Sequence, residues 1–216
     1  MEALLDTPAV GERPRERAGR PARIGFGIGP KARSLERLVL ALENRAPGTV
    51  GHSRRVGIYA AGLARDAGLS RAEARRIKRA GVLHDVGKTK VPAEILNKAR
   101  PLSEEEQALV RSHAEIGAAM VAGLADPDLT ATIRHHHERF DGAGYPDGLE
   151  GERIPLGARL VAVCDTFDAL TSRRPYRRAI GFPEALDLLD QEAGSQLDPA
   201  LVELFRQRFE RLWAAA

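Results

Sequence analysis

The stretch Leu156–Leu170 is apolar almost all the way round a helical projection. A helix without a polar face has to be enclosed on every side by other elements. Within that stretch Asp165 follows the run Leu160-Val161-Ala162-Val163-Cys164, and Asp168 lies one turn further along the same side. An ionised carboxylate on an enclosed helix needs compensation. It can come from a bound metal, from a hydrogen bond within the helix or from an ion pair. The sequence must therefore supply a shell of helices around this segment and a partner for its acids.

The shell is legible. A helical pattern begins at Ser34, read as its N-cap, with Leu35, Leu38, Val39 and Leu42 on one face, and Pro47-Gly48 ends it. A second helix is expected from Thr49 to Ala67, burying Val56, Tyr59, Ala60 and Leu63, with Gly68 just past its end. Ser70 and Glu73 form a capping-box pair before a third helix that ends near Asp85, and Ser103 and Glu106 repeat the pair. After a bend the apolar face of that later helix continues through Ile116, Met120 and Leu124. A helix over 128–137, a Gly/Pro/Asp-rich loop over 139–153 and helices near 183–193 and 199–213 complete the chain, with Asp198-Pro199 opening the last. No run alternates with a period of two, and no internal repeat is visible. The expected fold is all-α, one helical bundle over residues 34–216, preceded by a mobile or extended Pro/Gly/Arg-rich segment over 1–33.

Charge separates the same two regions. Seven Lys/Arg and four acids lie in residues 1–33, leaving twenty-six of each sign in the remainder. A formally neutral body argues against a nucleic-acid polymer as partner. The basic extension is expected to be solvated, and it is the segment through which a protein partner could be met. No apolar run approaches the roughly 18 residues of a membrane span. Residues 1–23 lack the apolar middle of a signal peptide, so a cytoplasmic location is expected. The single cysteine, Cys164, forms no intrachain disulfide and is expected as a small buried residue.

All six histidines, His52, His84, His113, His135, His136 and His137, lie in or beside these helical segments. His84-Asp85 follows the apolar face Ile77, Ala80, Leu83 and precedes Gly87-Lys88. A carboxylate beside an imidazole at a buried helix end calls for a cation or several hydrogen bonds. Imidazole nitrogen and carboxylate oxygen suit iron, manganese or zinc. Neighbouring helical residues diverge by about 100°, so His136 and His137 converge on one site only at a frayed helix end or on different parts of a metal cluster. His135 is read as an outer partner or a surface residue. Lys88 reads as a phosphate-facing cation or as a surface lysine in a Gly-containing turn.

Taken in order, several motifs resemble the HD-GYP group of HD-type phosphohydrolases. They are His52-Ser-Arg-Arg-Val56, Leu83-His-Asp-Val-Gly-Lys88, His113, His136-His-Glu-Arg-Phe-Asp-Gly-Ala-Gly-Tyr-Pro146, Leu149-Glu-Gly-Glu-Arg-Ile-Pro155, Asp165-Thr-Phe-Asp-Ala-Leu-Thr171, Arg174-Pro-Tyr-Arg177 and Gly194-Ser-Gln-Leu-Asp-Pro199. The resemblance covers roughly residues 34–210. It implies an HD-type helical bundle with a metal site between helices and hydrolysis of cyclic di-GMP to pGpG or GMP. It also implies divalent iron or manganese ions held by His52, His84, Asp85, His113, His136, His137 and Asp165. Gly48 stands four residues before His52, where members with three metals carry a glutamate, so two metals are expected. By the same resemblance Asp85 bridges the metals and Lys88 faces the scissile phosphate. Tyr145, Arg174 and Arg177 then contact substrate, the arginines through a second phosphate or a guanine edge. Hydrolysis of another cyclic dinucleotide or a nucleotide, or sensing without turnover, are the alternatives.

Overall fold

The computed structural model describes residues 26–46, 48–98, 100–172 and 179–214. Ten α-helices fall within them, with no strand among the described residues beyond an isolated bridge between Ala193 and Leu197. No helix there is long and apolar enough to cross a membrane.

Helix α1 (Pro30–Arg45) starts four residues before the expected Ser34. Pro30 occupies its first position, and the Ser34 hydroxyl donates back to the Pro30 carbonyl instead of capping. Phe26 and Ala32 are buried with Leu35 and Val39. Phe26 and Ala32, expected in the extension, thus pack on the body; residues 1–25 lie outside the described part.

Helices α2 (Thr49–Asp66) and α3 (Arg71–Leu83) follow, α3 opened by the expected Ser70–Glu73 capping box. They cross through a pair of glycines. A Cβ on Gly81 would lie 2.8 Å from the Gly57 Cα, so side chains there would force the helices apart. This crossing sets the first turn of α2, carrying His52, beside the end of α3, carrying His84; their rings are 5.4 Å apart.

A 3-10 turn over Val86–Lys90 and the short α4 (Ala93–Leu96) were not legible in the sequence. Helix α5 (Glu104–Arg111) carries the second capping box, and the chain bends at Ser112 into α6 (His113–Val121). The face α6 buries is Ala114, Gly117, Ala118 and Val121; the expected Ile116, Met120 and Leu124 are only partly covered. The cause is contact with the 3-10 turn. A Cβ on Gly87 would sit 1.9 Å from the His113 carbonyl oxygen and 2.7 Å from the Gly117 nitrogen. Backbone meets backbone at that point, and only small residues fit.

Helix α7 (Pro127–His135) is capped by Asp126, whose Oδ1 accepts from the Leu129 amide at 3.0 Å; the expected start at Asp128 is one residue late and the expected end at His137 two residues late. The loop over 136–155 contains a 3-10 turn at Gly151–Arg153. Helix α8 (Leu156–Thr171) is enclosed as expected, with Leu160, Val161, Val163, Cys164 and Phe167 fully buried. It is covered by α2, by α9 (Phe182–Gln191) and by α10 (Pro199–Ala214), the last opened by Asp198 accepting from the Ala200 amide. A second apolar cluster ties α1, α3, α6 and α7 through Leu35, Val39, Leu83, Val121 and Ile133.

Candidate metal centre

Three histidines share one local device. His84 Nδ1 lies 2.7 Å from the Gly81 carbonyl, His113 Nδ1 2.6 Å from Val110 O, and His136 Nδ1 2.7 Å from Ile133 O. A carbonyl only accepts, so each Nδ1 carries the proton. In the neutral ring Nε2 then presents a lone pair away from its own helix. Burial holds His113 neutral, its pKa pushed down to about 4, and burial likewise lowers His137 to about 3 and His136 far below the ordinary value.

The lone pairs converge. His113 Nε2 and His136 Nε2 face one another at 3.3 Å, two acceptors with no proton between them. His84 Nε2 and Asp85 Oδ1 are buried and have no hydrogen-bond partner. Unpartnered acceptors of this kind cost about 1–3 kcal/mol each in a folded protein. Two triads bring their donor atoms within 4.8 Å of one another, His113–His136–His137 and His52–His84–Asp85. Asp85 stands between them: Oδ2 is 3.4 Å from His84 Nε2 and Oδ1 is 3.4 Å from His113 Nε2. Burial opposes ionisation of Asp85, but the Lys88 ammonium beside it offsets this and holds the carboxyl far below its ordinary pKa. A set of nitrogen and carboxylate donors in which His84, His113 and His136 turn their Nδ1 protons back to their own chain segments fits divalent transition-metal ions.

Asp165, from α8, closes the second triad at 3.1 Å from His52 Nε2 and 3.8 Å from His84 Nε2. The seven residues expected to hold metal, His52, His84, Asp85, His113, His136, His137 and Asp165, thus come together from five helices or helix ends. Lys88 reaches Asp85 Oδ2 at 2.7 Å, one 3-10 turn along. Tyr145 stacks on His137 with ring centres 4.9 Å apart. Arg174 and Arg177 lie outside the described residues.

His135 does not join the centre. Its Nδ1 meets the Ala131 carbonyl at 2.9 Å and its Nε2 meets Asp147 Oδ2 at 2.8 Å. Although His135, Glu138 and Asp147 are also mutually close, their atoms are already used. Both Glu138 oxygens accept backbone amides, from Asp147 and Leu149, and Asp147 also takes the Arg134 guanidinium. The group pins the Gly-Tyr-Pro loop to α7.

Sequence reasoning assigned no role to Asp168. Its buried carboxylate accepts from His52 Nδ1 at 2.7 Å, from Arg55 Nε at 2.6 Å and Nη2 at 3.0 Å, and from Ser172 Oγ at 3.1 Å. Burial lowers the basicity of His52, but its hydrogen bonds to Asp165 and Asp168 outweigh this and raise its pKa to about 9. The available signal was the spacing: Asp168 one turn after Asp165, and Arg55 three residues after His52.

The centre forms the floor of a cavity of about 960 Å³, walled by Lys88, Arg111, Arg139, Tyr145, Asp165 and Gln196 among others.

The profile of the HD domain family matches residues 37–201. The cyclic di-GMP phosphodiesterase response regulator RpfG of Xanthomonas campestris pv. campestris is 43% identical over 173 residues, covering 79% of this chain and 46% of RpfG. The 3'3'-cGAMP-specific phosphodiesterase 2 of Vibrio cholerae is 36% identical over 183 residues, 82% of this chain and 34% of that protein. The chain therefore spans less than half the length of these relatives. The crystal structure of a cyclic GMP-AMP-specific phosphodiesterase from Vibrio cholerae shares the fold, with a TM-score of 0.61 at 22% identity over 82% of this chain and 47% of that one. With the ordered histidine and aspartate motifs and the Gly-Tyr-Pro loop packed on them, the chain belongs to the HD domain family, in its HD-GYP group.

Proposed function

We propose that this domain is a metal-dependent phosphodiesterase that hydrolyses cyclic di-GMP to pGpG or, after a second cut, to GMP. The observation that carries the reading is the pair of triads, with Asp85 of one reaching His113 of the other and with unpartnered His84 Nε2 and Asp85 Oδ1 atoms, at the floor of a cavity of about 960 Å³. The identity to RpfG, a cyclic di-GMP phosphodiesterase, supports the substrate class.

In this reading two divalent ions, iron or manganese, would be held by His52, His84, Asp85, His113, His136, His137 and Asp165. When bound they supply Lewis acidity toward phosphoryl oxygens and toward water. The chain's own groups do the rest. The i−3 carbonyls fix the tautomers of His84, His113 and His136, so the lone pairs are in place before any ligand arrives. Asp168 orients the His52 ring by accepting from its Nδ1. Asp85 turns one oxygen toward His84 and the other toward His113, and would be the carboxylate available to both ions. Lys88, on the cavity wall, is placed to turn its ammonium from Asp85 to a nonbridging oxygen of the scissile phosphate, where negative charge grows during in-line attack. Tyr145 supports the ligand along the His137 side of the cavity, and Arg174 and Arg177 contact the second phosphate or a guanine edge.

Similarity to a 3'3'-cGAMP-specific enzyme makes a mixed cyclic dinucleotide the second reading. One experiment separates these. Purified protein loaded with iron or manganese is incubated with cyclic di-GMP, 3'3'-cGAMP, cyclic di-AMP and mononucleotides, and products are resolved by chromatography alongside metal analysis. Preferential conversion of cyclic di-GMP to pGpG or GMP supports the proposal. Preferential cleavage of 3'3'-cGAMP moves the assignment to the second reading. Tight binding without turnover by the loaded protein identifies a sensor.

A further inference from the structure

Four cationic side chains among the described residues face the cavity: Arg55, Lys88, Arg111 and Arg139. Three are held by carboxylates. Lys88 is 2.7 Å from Asp85, Arg55 Nε is 2.6 Å from Asp168, and Arg139 Nη2 is 2.6 Å from Asp141. Arg111 makes no ion pair with a described carboxylate. Its guanidinium carbon lies over the ring of Tyr145, 5.5 Å from the centroid, and that ring is stacked on His137. Arg111 ends α5, and two residues later His113 opens α6 and contributes to the centre, so the turn at Ser112 fixes the arginine at a set offset from it.

An aromatic contact orients a guanidinium while leaving its N–H edge unsatisfied except by water. A planar donor edge that carries an uncompensated positive charge, facing a cavity beside a phosphodiester-sized centre, matches one chemistry: a second phosphate held at a distance from the first. A cyclic dinucleotide has two phosphodiesters, of which one reacts at a time. We propose that Arg111, oriented by Tyr145, forms the subsite for the phosphodiester of the substrate that is not being cleaved. This rests on the phosphodiesterase reading above and deepens it. Tyr145 acquires a definite role as the platform that positions Arg111, and Arg111 becomes a residue that distinguishes cyclic dinucleotides from diesters carrying a single phosphate. The competing account is that Arg111 only offsets the negative C-terminal end of α5.

The test compares wild type, Arg111→Ala and Arg111→Lys. Cyclic di-GMP affinity is measured by calorimetric titration of chelator-treated protein, where no turnover occurs. Steady-state kinetics of the metal-loaded protein are measured with cyclic di-GMP and with bis(p-nitrophenyl) phosphate, and metal content and melting temperature are recorded for each. Expected for Arg111→Ala is a rise in Kd for cyclic di-GMP of about ten- to a hundredfold, the loss associated with one charge-assisted contact. KM should rise more than kcat falls. The preference for cyclic di-GMP over the single-phosphate diester should drop at least about tenfold, with partial recovery in Arg111→Lys. An Arg111→Ala protein with wild-type Kd for cyclic di-GMP, or one that loses both substrates equally, or one that only melts earlier, overturns the subsite. Wild-type protein that cleaves bis(p-nitrophenyl) phosphate but neither binds nor cleaves any cyclic dinucleotide overturns the dinucleotide reading, and the subsite with it.

Discussion

Asp168→Asn keeps the volume of a buried side chain and removes its charge. In the native protein this carboxylate takes four hydrogen bonds, one from His52, two from Arg55 and one from Ser172. An amide offers only one oxygen and brings two N–H donors of its own, so at least one Arg55 N–H faces another donor. Removing one partner of a buried ion pair typically destabilises by about 3–5 kcal/mol. The Arg55 side chain is 42% exposed and recovers part of its hydration, which reduces the expected loss to about 2–4 kcal/mol. The same substitution loosens the hold on His52 Nδ1, and outer-shell partners of this kind are worth about ten- to a hundredfold in metal affinity or activity. Urea unfolding of chelator-treated protein reads the first effect free of metal binding; metal titration of the folded protein reads the second. A double-mutant cycle with Arg55→Ala should return a coupling of at least about 1 kcal/mol. Asp168→Asn protein that unfolds within about 0.5 kcal/mol of wild type and binds metal equally well would refute the reasoning.

Asp85→Ala should reduce hydrolysis by at least about a hundredfold, since it removes the carboxylate that stands between the two triads, while circular dichroism stays helical; near-wild-type turnover with metal content unchanged excludes the bridging role. Gly87→Ala places a Cβ 1.9 Å from the His113 carbonyl oxygen, so the 3-10 turn and α6 must separate. About 1–3 kcal/mol of stability or more should be lost, together with metal stoichiometry, and equal unfolding midpoints would show that the contact relaxes easily. Metal-free protein should be most stable near pH 6.5. Below it the unfolded chain takes up protons that buried His113 and His137 refuse until about pH 4 and 3, so stability falls on the acid side. Above it the unfolded chain releases the proton that folded His52 keeps to about pH 9, so stability falls on the alkaline side as well. Urea midpoints that change in one direction only from pH 4 to 9 would contradict this pairing.

The sequence by itself determined the helical class and most helix ends, and its resemblance to the HD-GYP group implied the seven residues that meet at the centre. Those signals are local. The Ser70–Glu73 and Ser103–Glu106 boxes satisfy amides three residues away, and Asp165 is conspicuous because its immediate neighbours are apolar. The start of α1 was misplaced because Phe26 finds its apolar partners only in the folded body. The buried face of α6 was misread because the hydrophobic pattern favours large residues, whereas a backbone contact with Gly87 selects Gly117 and its small neighbours. Only tertiary structure decided what surrounds the centre. Asp168 and His52 are 116 residues apart, and their hydrogen bond exists because the glycine crossing of α2 and α3 and the packing of α2 on α8 set both side chains on one wall. Arg111 likewise looks like an ordinary helix-end arginine until the loop that carries Tyr145 folds beneath it. Periodicity and capping are encoded within a few residues of chain, but the orientation of a charged side chain depends on which distant surfaces remain to satisfy it once the core has closed.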